Sequence, residues 1–410
     1  MTADCRFCAC PLTLELIDLG PQPLANSYLD PSPQAVAAEQ RFPLRVMVCE
    51  ACFLVQIEQA VPPEAIFHRN YAYFSSYSTS WVEHAGHYAA AMMERFELNA
   101  LSMVVEVASN DGYLLQHFAR HGIPCLGIEP AGKCAEAARA RGIDTVVDFF
   151  NPDTARRLAA DGVAADLTAA NNVLAHVPAI AEFVAGFPVI LKPDGVATFE
   201  FPHLLRMIAE TQFDTIYHEH YSYLSLGVVE RILAGQGMRV FDVEPLATHG
   251  GSLRVFACHG AARHGETSRV AQTRQAEAAA ALDRPEGYGA FAGRAAEMRD
   301  ALRLFLDDCK ARGTRVAAYG AAAKGNTFLN YCRADASDIA FVVDRNPEKQ
   351  GRLLPGSHIP VRDPAALRDE RPEAILILPW NLAGEITAEH AYVSEWGGRF
   401  VVAAPQLRVL

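Results

Sequence analysis

Twice along this chain a short apolar strand runs into a tight turn of small residues and then into a helix, first near residue 104 and again near 316. Such a unit returns the chain across a sheet, so its repetition predicts two mostly parallel sheets covered by helices on both faces. In the first series the pattern predicts strands at 103–108, 125–128, 166–170, 195–199 and 253–259, with helices at 113–121 and 133–141. An amphipathic helix at 81–96 leads into it. In the second series strands fall at 315–319, 339–343, 374–378 and 399–403, with a helix at 325–332. Between the two, residues 261–312 carry Ala, Glu and Arg at helical spacing and read as helices joining two lobes. With 410 residues the chain is too long for one ordinary core. The reading is therefore an α/β protein with a small Cys- and Pro-rich domain at 1–70, a central Rossmann-like domain at 71–260, and a Rossmann-like domain at 261–410 that begins with the joining helices.

Within the first domain, Cys5-x-x-Cys8 and Cys49-x-x-Cys52 form two paired knuckles. Two residues between thiolates let both face one tetrahedral centre, and four thiolates complete a closed structural zinc site. The gap between the pairs exceeds the usual ribbon spacing of about 15–20 residues, so a loop or small sheet must fill it. Free core thiols are the plainer alternative. Cys10 is a poorer competitor by spacing.

Ten cysteines in a chain whose start lacks a basic and apolar leader pattern suggest reduced thiols rather than a disulfide framework. A cytoplasmic protein is the expectation. No run of about 18 apolar residues occurs, so no membrane span is expected. The formal charge of −12 and the absence of a basic stripe argue against nucleic acid as partner.

The turn after the first strand, Glu106-Val107-Ala108-Ser109-Asn110-Asp111-Gly112, is a degenerate glycine loop. Ala108 and Asn110 occupy the first two glycine positions and Gly112 the third. Ala is small and Asn tolerates left-handed backbone, so close approach of a ligand to the helix N-terminus stays feasible. Glu129 ends the second strand about 20 residues on, where a carboxylate takes ribose hydroxyls. Asp148 and Phe149 could hold an adenine edge and face. Asn171 ends a later strand within Ala170-Asn171-Asn172. Glu106, Ser109, Asn110, Gly112, Glu129, Asp148, Phe149 and Asn171 are therefore the cofactor candidates.

Taken with Tyr217-His218-Glu219-His220-Tyr221-Ser222-Tyr223, His249-Gly250-Gly251-Ser252-Leu253-Arg254 and Gly320-Ala321-Ala322-Ala323-Lys324-Gly325-Asn326, these motifs occur in an order that resembles the zinc-containing, S-adenosylmethionine-dependent nucleotide-sugar C-methyltransferases of deoxysugar biosynthesis. The likeness covers nearly the whole chain. It is greatest for the branch acting at C-3' of a dTDP-linked 3-amino-4-keto sugar on the route to D-tetronitrose. The resemblance implies S-adenosylmethionine as cofactor, structural zinc, a dTDP-linked keto sugar as substrate, and a role in antibiotic biosynthesis. It also implies that the C-terminal lobe helps hold the nucleotide sugar.

Methylation at a carbon beside a ketone needs a base for the proton and donors for the enolate oxygen. A histidine suits the first task. The resemblance favours His220 as base, with Glu219 and Tyr217 beside it and Tyr71 and His176 near the sugar. In the C-terminal lobe, Lys324 and Asn326 follow a small-residue turn and Asp344 closes the next strand, all at carboxyl ends of strands where ligands of open α/β sheets bind. With Arg254 they are the substrate-side candidates. His249 reads as a turn residue as readily as a functional one. A metal shared by His218 and His220 would require both on one face of a strand. Two rival readings remain: a nicotinamide-dependent oxidoreductase on a nucleotide sugar, and a zinc-ribbon binding module fused to a degenerate enzyme. A monomer is acceptable, because three domains can cover one another.

Overall fold

The computed structural model describes residues 3–58, 61–62 and 74–410. Its central sheet has seven strands, in the spatial order Thr145–Val146, Cys125–Ile128, Val104–Val107, Ala165–Asn171, Leu191–Pro202, Ser252–His259 and Met238–Leu246. The first five are parallel. Val104–Val107 is buried at every position, as a strand covered on both faces must be. Ser252–His259 runs antiparallel to both of its neighbours. The Met238–Leu246 strand escaped the pattern reading, because its apolar run is interrupted by the buried Asp242. That carboxylate is held inside by Arg95 and Arg269.

The C-terminal sheet has six strands, ordered Val361–Arg362, Val342–Val343, Val316–Tyr319, Ala374–Ile377, Arg399–Val402 and Arg408–Val409. Its first five are parallel and the last is antiparallel. The segment joining the two large sheets forms the helices Ser268–Ala279 and Phe291–Arg312. The longer one ends at Gly313, in the left-handed conformation that glycine adopts most readily.

Between the cysteine pairs lies a small sheet rather than a loop. Leu14–Gln22 pairs antiparallel with Phe42–Val48, which pairs with Val55–Ile57. The fourth strand of this sheet, Ser222–Tyr223, comes from far along the chain, with Val55 opposite Tyr223 and Gln56 opposite Ser222. One apolar core then runs through Leu16, Val46, Phe213, Tyr221, Leu302 and Ala318. It unites the N-terminal sheet, the 204–223 segment, the long helix and the C-terminal sheet, and so fixes the seam at which the candidate residues meet.

Candidate active site

The four knuckle cysteines converge. Their sulfurs all lie within 4.8 Å of one another, with Cys5 to Cys52 at 3.6 Å and Cys8 to Cys49 at 3.4 Å. A tetrahedral zinc with bonds of about 2.3 Å sets its sulfurs about 3.8 Å apart, so the donor set and spacing fit that ion. Gln56 supports the site, donating Nε2–H to the Cys5 sulfur at 3.2 Å and accepting from the Arg6 amide at 3.0 Å. Arg6, inside the first knuckle, donates to the carbonyls of Tyr221 and Ile57. The metal lobe therefore grips the chain directly after His220.

His220 lies at the centre of the seam. Its Nδ1 is 2.7 Å from the Thr215 carbonyl, which can only accept. The proton therefore sits on Nδ1, and Nε2 carries the lone pair. The His176 ring stands edge-on to it at 4.7 Å, and Tyr217 lies over it at 4.0 Å. Burial, followed by the neighbouring His176, drives the His220 pKa well below that of free imidazole. Burial likewise lowers His176 to about 4. Both rings are neutral at pH 7. Glu219 turns the other way and accepts from the Asn26 amide at 2.6 Å. His218 points back at the Phe42 and Pro43 carbonyls, at 3.3 and 3.2 Å. Residues 217–219 form a turn rather than a strand, so the two histidines face opposite ways. Among the described residues only the four cysteines gather as metal ligands.

The degenerate glycine loop is built as its residues predict. Ala108, Asn110 and Gly112 are all left-handed, at φ 58°, 48° and 76°. The Glu129 carboxylate closes the loop, accepting from the amides of Asn110 at 2.9 Å and Ala131 at 2.8 Å. Burial pushes Glu129 upward, and burial followed by Glu129 itself pushes Glu106 well above the usual carboxylate range. One oxygen of Glu106 and the Asn171 side-chain oxygen are buried without a protein partner. Buried polar atoms are rarely left so, and a polar ligand above this strand end would satisfy them.

Each lobe also carries a sequence likeness. Residues 5–67 match a zinc binding domain, 81–243 a methyltransferase domain, and 247–405 a C-methyltransferase C-terminal domain. Over 407 residues the chain is 35% identical to the C-methyltransferase NovU of Streptomyces niveus, covering 99% of this chain and 96% of that one. The chain belongs to the zinc-containing C-methyltransferases. It is an S-adenosylmethionine-dependent enzyme, and zinc is its metal. Among solved structures, the magnesium protoporphyrin IX methyltransferase of Synechocystis with bound SAH aligns at 14% identity and a TM-score of 0.35, covering 43% of this chain and 83% of that one. An S-adenosylmethionine-dependent methyltransferase from Anabaena variabilis aligns at 12% identity and a TM-score of 0.35, over 42% and 83%. No described helix of this methyltransferase is long and apolar enough to cross a membrane.

Other predicted positions are spent on the protein itself. Arg254 is buried, paired with Glu200 and Glu244 at 2.8 Å each, and lies over the Tyr88 ring. Burial alone would raise Glu200, but His84 and Arg254 outweigh it and hold that carboxylate at about 2. The Arg254 guanidinium is thus committed to carboxylates beneath the helix Thr79–Arg95, which corrects its placement on the substrate side. Asp344 accepts from the amides of Ala321 and Asn346 at 2.8 Å each and so holds the turn after the strand Val316–Tyr319. Asn326 ties two lobes by donating to the Ala25 carbonyl at 2.6 Å. The Ser109 hydroxyl is buried against Gly127, where an added Cβ would come within 2.4 Å of it. The side chain therefore faces into the sheet, and only its backbone lies in the loop. Asp148 is held by Arg157 at 2.5 Å, while Phe149 is exposed. Lys324 reaches the seam and donates to the His249 carbonyl at 2.9 Å. Tyr71 lies outside the described residues. The pattern reading missed Asn26, which meets Glu219, and Asp214, which accepts from Trp380 Nε1–H at 2.7 Å; both roles come only from tertiary contact.

Proposed function

We propose that this enzyme removes the C-3' proton of a dTDP-linked 4-keto, 3-amino deoxysugar and methylates the enolate that results. The observation that carries this reading is His220. It is a neutral imidazole whose Nδ1 proton is engaged by a carbonyl, so that Nε2 is left as base at a three-lobed seam. His220 takes the proton, and Glu219 with Asn26 fixes the turn that presents it. Tyr217, over the His220 ring, donates to the enolate oxygen, and His176 stands edge-on beside the same space. Glu106, Glu129 and Asn171 line the cofactor end, with the amides of 109–112 and the Asp148-Phe149 pair at its rim. S-Adenosylmethionine, when bound, supplies the electrophilic methyl that the carbanion takes. Lys324, with Asn326 fixing its helix, faces the sugar nucleotide. Domain limits at 70 and 260 follow the same reading, as do a cytoplasmic monomer and a role in deoxysugar formation.

The reading is tested by incubating the protein with S-adenosylmethionine and the candidate dTDP-keto sugar in deuterated water. Mass spectrometry should show a product one CH₂ heavier, and loss of the C-3' proton with or without cofactor. A product methylated at oxygen or nitrogen would sink the assignment.

Two smaller effects belong here. Glu129→Gln puts an amide NH₂ against backbone N–H donors of Asn110 or Ala131, so one contact becomes donor against donor. SAH affinity should fall about tenfold by calorimetric titration; an unchanged constant removes Glu129 from the cofactor site. Second, His176 and His220 bind protons less readily folded than unfolded. Between pH 6.5 and about 4 the unfolded chain therefore holds more protons, and stability falls as pH drops through that window. The acid limb of kcat/KM should lie well below 6.5, because neither ring takes up a proton there. A limb at 6.5 would contradict it.

A further inference from the structure

The turn Thr248–Gly250 holds a feature that packing alone does not explain. His249, at φ 54° and ψ 21°, is left-handed, and it is followed by Gly250 at φ 89° and Gly251 at φ 116°. The glycines have a steric reason. An added Cβ would come within 2.8 Å of the Trp380 ring at Gly250, and within 2.8 Å of the Arg206 side chain at Gly251. Position 249 is also at positive φ, in the left-handed α region rather than the conformation of Gly251, and it carries an imidazole where glycine would sit without strain. A strained residue is kept where its side chain is used.

Both ends of His249 are engaged. Its Nε2 lies 3.2 Å from the side-chain nitrogen of Asn172, which donates to it. Asn172 is itself left-handed, at φ 53°, at the end of the strand Ala165–Asn171, and its side-chain oxygen is buried without a protein partner. The Trp81 ring lies 4.9 Å from the imidazole. The His249 carbonyl receives Lys324 Nζ at 2.9 Å, and Lys324 lies 5.6 Å over the Trp380 ring. Burial, with Lys324 next in effect, lowers His249 to about 4, so it is a neutral acceptor toward Asn172 at pH 7.

We propose that His249 is a positioning residue of the methyl-transfer centre, its ring aiming Asn172 at the cofactor end while its carbonyl holds Lys324 at the sugar end. The single residue then sets the distance between the two clefts. The inference rests on the reading of the reaction given above.

Three full-length proteins test it: the parent, His249→Gly and His249→Gln. Glycine removes the ring and relieves the backbone; glutamine restores a polar atom at the reach of Nε2. The expected result is a kcat about tenfold or more lower for His249→Gly, with the sugar KM within about twofold. SAH affinity should weaken about fivefold or more, because Asn172 is no longer aimed. The thermal midpoint should stay level or rise, and glutamine should recover most of both losses. Parental kcat and SAH affinity in His249→Gly would overturn the proposal. A lowered thermal midpoint in that variant would assign the ring to packing and overturn it as well. If the parent binds SAH but methylates no keto sugar, the reaction reading fails instead, and the SAH affinities alone still decide position 249.

Discussion

Cys49→Ser, or removal of zinc by a chelator, is expected to abolish methyl transfer and to unfold the N-terminal lobe, even though the metal lies outside the chemical centre. A structural zinc bound by four thiolates supplies about 10 kcal/mol or more of folding free energy in small domains. The lobe also packs into the apolar cores through Leu16, Val46 and Leu54, and the metal adds to that packing by closing the knuckles. Its loss reaches the catalytic cluster along a visible route. The knuckle positions Arg6, which donates to the Tyr221 carbonyl at 2.9 Å, and the Val55–Ile57 strand pairs with Ser222–Tyr223. The Asn26 amide, which meets Glu219 at 2.6 Å, follows the first strand of the same sheet. Without the metal, the segment from 217 to 223 loses its partners on one side. Metal analysis should find one zinc per chain in the parent and near none in the variant, with methyl transfer down by about 10²-fold or more. Apo-protein that retains activity would refute the coupling.

How far the sequence reached depends on how local each signal was. The longer inner strands of the two large sheets were legible because their apolar spacing is local, and Cys125–Ile128 falls where the pattern placed it, whereas Met238–Leu246 and the short strands Thr145–Val146, Val361–Arg362 and Arg408–Val409 left no such signal. The zinc set was legible because four cysteines at fixed spacing have few other uses. The chain's alternation could not reveal that Ser222–Tyr223 completes a sheet begun some 200 residues earlier, since pairing over such a distance leaves no periodic trace. Nor could it show that Arg254 faces Glu200. An arginine written in a motif looks the same whether it meets a phosphate or a buried carboxylate; only burial separates the two. The degenerate glycine loop was readable for the opposite reason, since the left-handed tolerance of Asn110 is a property of that residue alone.

His220→Asn should lower both C-3' proton exchange and methyl transfer by about 10²- to 10⁴-fold, the range that a positioned general base contributes. Asparagine keeps a donor near Nδ1 and so preserves the bond to the Thr215 carbonyl, now 2.7 Å long. What it lacks is the basic nitrogen at Nε2. The buried surroundings change little, because His176 and Tyr217 keep their neighbours, and the fold should melt within a few degrees of the parent. Parallel loss of the two rates is the decisive signature: a residue that only steadied the sugar would slow methylation while leaving the exchange measured without cofactor near its parental rate. His176→Asn provides the contrast. It removes the ring that stands 4.7 Å from the base and walls its side of the seam, and should cost about 10-fold to 10²-fold in both rates. If His220→Asn exchanges the C-3' proton as fast as the parent, the base is another group, and Tyr217, 4.0 Å away over the same ring, is the first to examine.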